Sequence, residues 1–151
     1  MTGVQTCALP IYGVIHQNST VKVDDDLPLG KAVLVGCGVP TGWGSAVYSA
    51  GVTPGDTVVI FGIGGIGINA VQGARYAGAK NVIAVDPLEN KREKAMELGA
   101  THAFGTAEEA QQAIIDLTRG QGADSAILTV DVMTAEVIGR ASCRERVCYV
   151  V

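Results

Sequence analysis

The stretch Thr57-Val58-Val59-Ile60-Phe61-Gly62-Ile63-Gly64-Gly65-Ile66-Gly67-Ile68-Asn69-Ala70 decides the fold. A β-branched and apolar run, Thr57–Phe61, leads directly into glycines spaced G-x-G-x-x-G at Gly62, Gly64 and Gly67. A helix-prone stretch over 68–76 follows, and a second apolar run over 82–85 ends in Asp86, about 20 residues past the glycines. Each part has a physical task in binding a dinucleotide. Gly62 permits a tight turn, Gly64 lets backbone approach a pyrophosphate, and Gly67 lets helix and strand pack closely. The helix that Gly65 opens offers free N–H groups and a positive dipole end to phosphates. Asp86 can accept hydrogen bonds from both ribose hydroxyls, and its charge opposes a ribose phosphate, which favours NAD over its phosphorylated form. A glycine turn alone can be purely structural. The strand before it, the helix after it and the acidic residue together favour dinucleotide binding.

Outward from this stretch the pattern alternates. Strands are expected over Thr57–Phe61, 82–85, His102–Phe104 and 125–130, and helices over 65–77, 89–98 and 107–118. Thr106 followed by Glu109 resembles a capping box, and Ala110, Ala113, Ile114 and Leu117 share one helical face. Alternation of this kind predicts an α/β chain with a doubly wound parallel sheet of about four strands. The full arrangement of this kind has six strands in the order 3-2-1-4-5-6, so the sheet is expected to be partial and the strand 126–130 to form an exposed edge. Upstream, 12–16 and 20–23 read as short strands around the turn 17–19. Pro28 opens a short helix over 29–35, and a second helix covers 41–50. Proline suits a helix start, where its missing N–H costs nothing.

Composition limits the function. The chain has 151 residues, a net charge of −4 and 48% hydrophobic residues, a single-domain length with enough apolar content for a core. The acidic balance gives no footprint for nucleic acid. No apolar run reaches the ~18 residues of a membrane span. No basic-then-apolar leader is present, so a cytoplasmic protein is expected. Asp24, Asp25 and Asp26 read as a solvated turn.

The two ends have a different texture. Thr2-Gly-Val-Gln-Thr-Cys7-Ala-Leu-Pro10-Ile11 and Gly139-Arg-Ala-Ser-Cys143-Arg-Glu-Arg-Val147 show no clean period and resemble in-frame translations of sequencing-library adapters. Residues 1–11 and 138–151 are therefore expected to be non-native tails. Without them the chain is more acidic, since Arg140, Arg144 and Arg146 outweigh Glu145. Cys7, Cys143 and Cys148 fall in the tails, which leaves Cys37 as the informative cysteine and no disulfide framework.

At Gly36-Cys37-Gly38-Val39-Pro40-Thr41-Gly42-Trp43-Gly44 the chain resembles the zinc-dependent medium-chain alcohol dehydrogenases. The resemblance runs from about Tyr12 to Val137 and includes Pro54-Gly-Asp-Thr-Val-Val-Ile60 and Glu97-Leu-Gly-Ala-Thr-His102. The texture of Gly44-Ser-Ala-Val-Tyr48 and Thr118-Arg-Gly-Gln-Gly-Ala-Asp124 is closest to the nicotinoprotein, NDMA-dependent members. The resemblance divides the chain into the end of a catalytic domain with an interdomain helix, 12–50, and a truncated NAD-binding Rossmann domain, 51–137. It implies that Cys37 is one ligand of a catalytic zinc, where spacing alone would make it a small buried hydrophobe. Zinc keeps one position open for substrate and acts as a Lewis acid on the alcohol. The resemblance further puts Thr41 beside the nicotinamide, Ile66 behind its ring and Lys91 near the adenosine ribose, where a solvated lysine is the alternative. His16 and His102 match no functional position, and Trp43 is expected to pack.

The implied activity is hydride transfer between a small alcohol or aldehyde and NAD, in a protein that is homo-oligomeric when complete. The two further zinc ligands of the family, a cysteine and a histidine, are expected outside this chain, so by itself it is expected to bind without catalysing. A formaldehyde dehydrogenase acting on a thiol adduct is the nearest alternative. Cys37 argues against a zinc-free quinone reductase, and the full glycine spacing argues against a methyltransferase.

Overall fold

The computed structural model describes residues 14, 16–130 and 143–149, the last by their backbone. After a single 3-10 turn at Gln17–Ser19 come helix α1 (Leu29–Ala32), a 3-10 turn (Val33–Gly36), and helix α2 (Gly38–Gly44), which continues as a π turn over Ser45–Ser49. The alternating part follows: β1 (Thr57–Phe61), α3 (Gly65–Tyr76), β2 (Asn81–Val85), α4 (Glu89–Glu97), β3 (His102–Phe104), α5 (Ala107–Leu117) and β4 (Ala123–Leu128). A further strand, β5, spans Cys143–Tyr149.

All strands run parallel in the order β3-β2-β1-β4-β5. Val59 stands opposite Ile83 on one side and Ala126 on the other. The chain order reverses between β1 and β4, and such a switch point opens a crevice at the carboxyl ends of the strands. Both faces of β1 are covered. Val58 and Ile60 pack with Ala70, Val71 and Ala74 of α3 and Ala95 of α4. Val59 and Phe61 pack with Ala110 and Ile114 of α5. Val58, Val59, Ile60, Val82, Ile83 and Ile127 are fully buried, each contributing about 1.5–3 kcal/mol of transfer free energy. This double burial explains why β1 and β2 read as continuous apolar runs. At the opposite edge, the Asp124 carboxylate accepts the Thr57 N–H at 2.8 Å and the Asn81 amide donates to the Thr57 hydroxyl at 2.9 Å, tying the starts of β1, β2 and β4 together.

Several expectations need correction. Residues 20–23 form no strand, and Val21 and Val23 are exposed. Their alternation has no neighbouring strand to pair with, and an unpaired extended segment is not a sheet. The expectation over 12–16 lies largely outside the described residues. The helix expected over 29–35 tightens into 3-10 geometry after Ala32. The helix expected from Thr41 starts at Gly38, because Pro40 sits in its first turn, where its missing N–H has no partner to lose. The expected exposed edge at β4 is covered: β5, drawn from the segment read as a tail, pairs with it from Ala123 to Leu128 with one register shift. The helix cap also differs in detail. The Thr106 hydroxyl accepts the Glu109 N–H at 3.3 Å, but the Glu109 carboxylate returns to the Gly105 N–H at 3.1 Å.

Candidate dinucleotide-binding site

The turn after β1 is built by hydrogen bonds that its glycines permit. Gly62 has φ +87, a left-handed conformation that side chains disfavour. Its N–H donates to the Val85 carbonyl at 2.9 Å, which locks the turn to the end of β2. Its carbonyl accepts the Thr129 hydroxyl at 2.6 Å, and the Phe61 carbonyl accepts the Thr129 N–H at 2.9 Å. Gly67 lies so close to this turn that a Cβ would meet the Gly62 carbonyl and, at 2.9 Å, the Thr129 hydroxyl. Gly64 and Gly65 are exposed, and a Cβ at either would stand in open space. The first intrahelical bond of α3 is Ile68 N–H to the Gly64 carbonyl at 3.0 Å. The N–H groups of Gly65, Ile66 and Gly67 precede it and are the orphan donors of the helix start.

Asp86 ends β2 at the far wall. It is buried, with 4% of its surface exposed. One carboxylate oxygen accepts the Ile63 N–H at 2.8 Å and the other accepts the Leu88 N–H at 3.0 Å. Half-buried Lys91 approaches the first oxygen at 3.4 Å. A carboxylate has about four acceptor positions, so one remains for a ligand hydroxyl. Between these groups opens a cleft of about 500 Å³ lined by Gly62, Gly64, Asp86, Pro87, Leu88, Lys91, Ala107, Thr129 and Val130. Arg92 braces the wall formed by Asp86 and Pro87, donating to their carbonyls at 2.9 and 2.8 Å. Such an arrangement could hold a dinucleotide: open backbone for a pyrophosphate, free N–H groups, and an anchored carboxylate for a ribose hydroxyl.

Cys37 and Thr41 enter through α2. Cys37 is the residue before the helix, and its carbonyl accepts the Thr41 N–H at 3.0 Å. Gly42, the next residue, lies directly against the Ile66 carbonyl. Thr41 thereby precedes the residue at which α2 meets the first turn of α3. Cys37 is an exposed free thiol and fills no core position. Among the described residues no three His, Cys, Asp or Glu side chains converge on a point that could hold a metal. The residues present therefore do not by themselves fit a zinc ion, which needs at least three protein ligands.

Trp43 packs as expected, its ring 4.9 Å from that of Tyr76. His16 accepts the Asn18 N–H at 3.2 Å, and His102 bonds with the Thr101 hydroxyl at 2.9 Å. Sequence reasoning missed Thr129, whose signal was a hydroxyl just past the strand adjoining β1. It also missed Gly42, whose role depends on a tertiary contact. Among the described residues no helix is long and apolar enough to cross a membrane.

Comparison with known proteins agrees with this geometry. The sequence pattern of the zinc-binding dehydrogenase family matches residues 65–140. An NDMA-dependent alcohol dehydrogenase of Amycolatopsis methanolica is 65% identical over 124 residues, covering 82% of this chain and 33% of that protein. Alcohol dehydrogenase B of Mycobacterium tuberculosis is 50% identical over 119 residues, covering 79% of this chain and 32% of that protein. The crystal structure of benzyl alcohol dehydrogenase from Acinetobacter calcoaceticus superposes with a TM-score of 0.76 at 30% identity, covering 86% of this chain and 36% of that one. The chain thus spans about a third of the length of the curated relatives it matches. With the parallel sheet, the glycine turn at its switch point and the family pattern over half its length, the chain belongs to the zinc-binding dehydrogenases.

Proposed function

We propose that this chain is the cofactor-binding part of a zinc-dependent alcohol dehydrogenase that uses NAD and transfers hydride between a small alcohol or aldehyde and the nicotinamide. The observation that carries this reading is Asp86, a buried carboxylate facing the cleft with both oxygens anchored by backbone N–H groups and one acceptor position spare. Its fixed charge and spare acceptor position suit a free ribose hydroxyl and oppose a phosphate. NAD, when bound, supplies the hydride acceptor. The chain's own groups bind and orient it: Gly64 and Gly65 leave room for the pyrophosphate, the first turn of α3 faces it with N–H donors, and Lys91 stands ready at the ribose. Thr41 and Ile66 flank the region toward the nicotinamide.

Cys37 is read as one zinc ligand, with the remaining ligands supplied from outside the described residues. Residues 12–50 are correspondingly the end of a catalytic domain and its connecting helix, and 51–137 the NAD-binding domain. The identity to the NDMA-dependent relative supports a tightly held nicotinamide. Because no group of three such ligands gathers among the described residues, the chain by itself is read as a binding module. The test is Cys37→Ser in a full-length family member carrying this segment. Alcohol oxidation should be lost while NAD binding persists. Retained alcohol oxidation would defeat the reading.

A further inference from the structure

The close crossing of α2 over α3 is unexplained by dinucleotide binding alone. At Gly42 a Cβ would collide with the Ile66 carbonyl and lie 2.8 Å from the Asn69 Cβ and 3.0 Å from the Ala70 nitrogen. At Gly73, further along α3, a Cβ would lie 3.0 Å from the Trp43 carbonyl and 3.2 Å from the Ala46 Cβ. Two glycines, one on each helix, therefore bring α2 and α3 together backbone to backbone. The obstacle at Gly42 is main chain of the first turn of α3, and it cannot rotate away as a side chain would. Gly44, on the same short helix, differs: its nearest atom would be Tyr48 Cδ2 at an ordinary 3.7 Å.

We propose that Gly42 is a positioning residue: its missing side chain sets the distance between α2, which carries Thr41 and follows Cys37, and the first turn of α3, which faces the dinucleotide. The inference rests on the function proposed above and adds a residue that touches neither cofactor nor metal. A methyl group at Gly42 drives α2 off Ile66 and moves Thr41 and Cys37 with it, while the glycine turn keeps its bonds to Val85 and Thr129.

Trp43, the single tryptophan of the chain, adjoins Gly42 and lies tilted against Tyr76 with ring centres 4.9 Å apart, so its emission reports the crossing directly. The experiment compares Gly42→Ala, Gly73→Ala and Gly44→Ala in two settings. In the 151-residue chain without ligand, Trp43 emission should shift for Gly42→Ala, less for Gly73→Ala, and not for Gly44→Ala. In a full-length family member with the same segment, Gly42→Ala should lower kcat by about 10²-fold, the loss expected of a misplacement near 1 Å. Its NAD dissociation constant should stay at the parent value, and Gly44→Ala should match the parent throughout. If Gly42→Ala behaves as Gly44→Ala does, or if NAD affinity falls as far as kcat, the proposal is overturned. Should Gly42→Ala fail to fold, Gly73→Ala is judged by the same criteria. A parent that neither bound NAD nor oxidised alcohols would defeat the functional reading, and the emission comparison would still decide whether Gly42 sets the crossing.

Discussion

A single methyl group added at Gly67 or at Gly64 should separate folding from binding. At Gly67 the new carbon would strike the Gly62 carbonyl and sit 2.9 Å from the Thr129 hydroxyl and 3.0 Å from the Gly62 carbonyl carbon. Relief requires α3 to move off β1 or the Gly62 peptide to turn, which breaks its 2.6 Å bond from Thr129. Alanine in place of glycine inside a helix gains about 1 kcal/mol. Overpacking costs about 1–3 kcal/mol, and the lost hydrogen bond about 1 kcal/mol more. The net loss is roughly 1–3 kcal/mol, a fall in Tm of roughly 2–12 °C for a chain of this size. At Gly64 a Cβ meets nothing within 4 Å and φ is −89, which any residue adopts. Gly64→Ala should therefore change stability by less than about 0.5 kcal/mol. The same methyl would stand where the pyrophosphate approaches, so NAD affinity should fall by about tenfold or more. Thermal melts by circular dichroism and calorimetric titrations read the two effects separately. Gly67→Ala melting with the parent, or Gly64→Ala binding NAD unchanged, would refute the assignment of the glycines.

Three further outcomes are expected. Asp86→Asn keeps an acceptor for one backbone N–H but loses the charge, so NAD should bind about 10- to 100-fold more weakly and discrimination against its phosphorylated form should narrow; calorimetry with both cofactors measures this. Ser125 is fully buried, and its hydroxyl has no partner among the described residues. Ser125→Ala should hold or raise stability by about 1 kcal/mol, whereas Ile127→Ala on the same strand should lose about 2–5 kcal/mol, as urea unfolding would resolve. Metal analysis of the dialysed chain should find far less than one zinc per chain, because Cys37 alone is not a site; stoichiometric zinc would reveal ligands not recognised above.

The sheet was legible where burial on two faces left continuous apolar runs. Thr57–Phe61 and the run ending at Asp86 are strands for that reason, and the glycine spacing identified the turn between β1 and α3. The strand pattern at Val21 and Val23 misled because alternation says nothing about whether a neighbour exists to pair with. The exposed edge expected at β4 misled in the opposite direction: Cys143–Tyr149 pairs with it, and backbone pairing depends on register and position more than on residue type. The place of Asp86 at the end of β2, lining the cleft, was legible from its distance to the glycines. Its anchoring by the Ile63 and Leu88 N–H groups was not, since those bonds exist only once the turn is folded. Gly42 and Gly73 are 31 positions apart in the chain, and no local pattern links them. Thr129 likewise acquires its role only through parallel pairing of β4 with β1.

The most direct test of the central claim is a calorimetric titration of the 151-residue chain with NAD and, separately, with its 2′-phosphorylated form. Saturable binding of one NAD per chain is expected, with the phosphorylated cofactor weaker by about tenfold or more because Asp86 opposes the added phosphate. A folded chain that shows no saturable NAD binding, or that binds both cofactors equally, would contradict it.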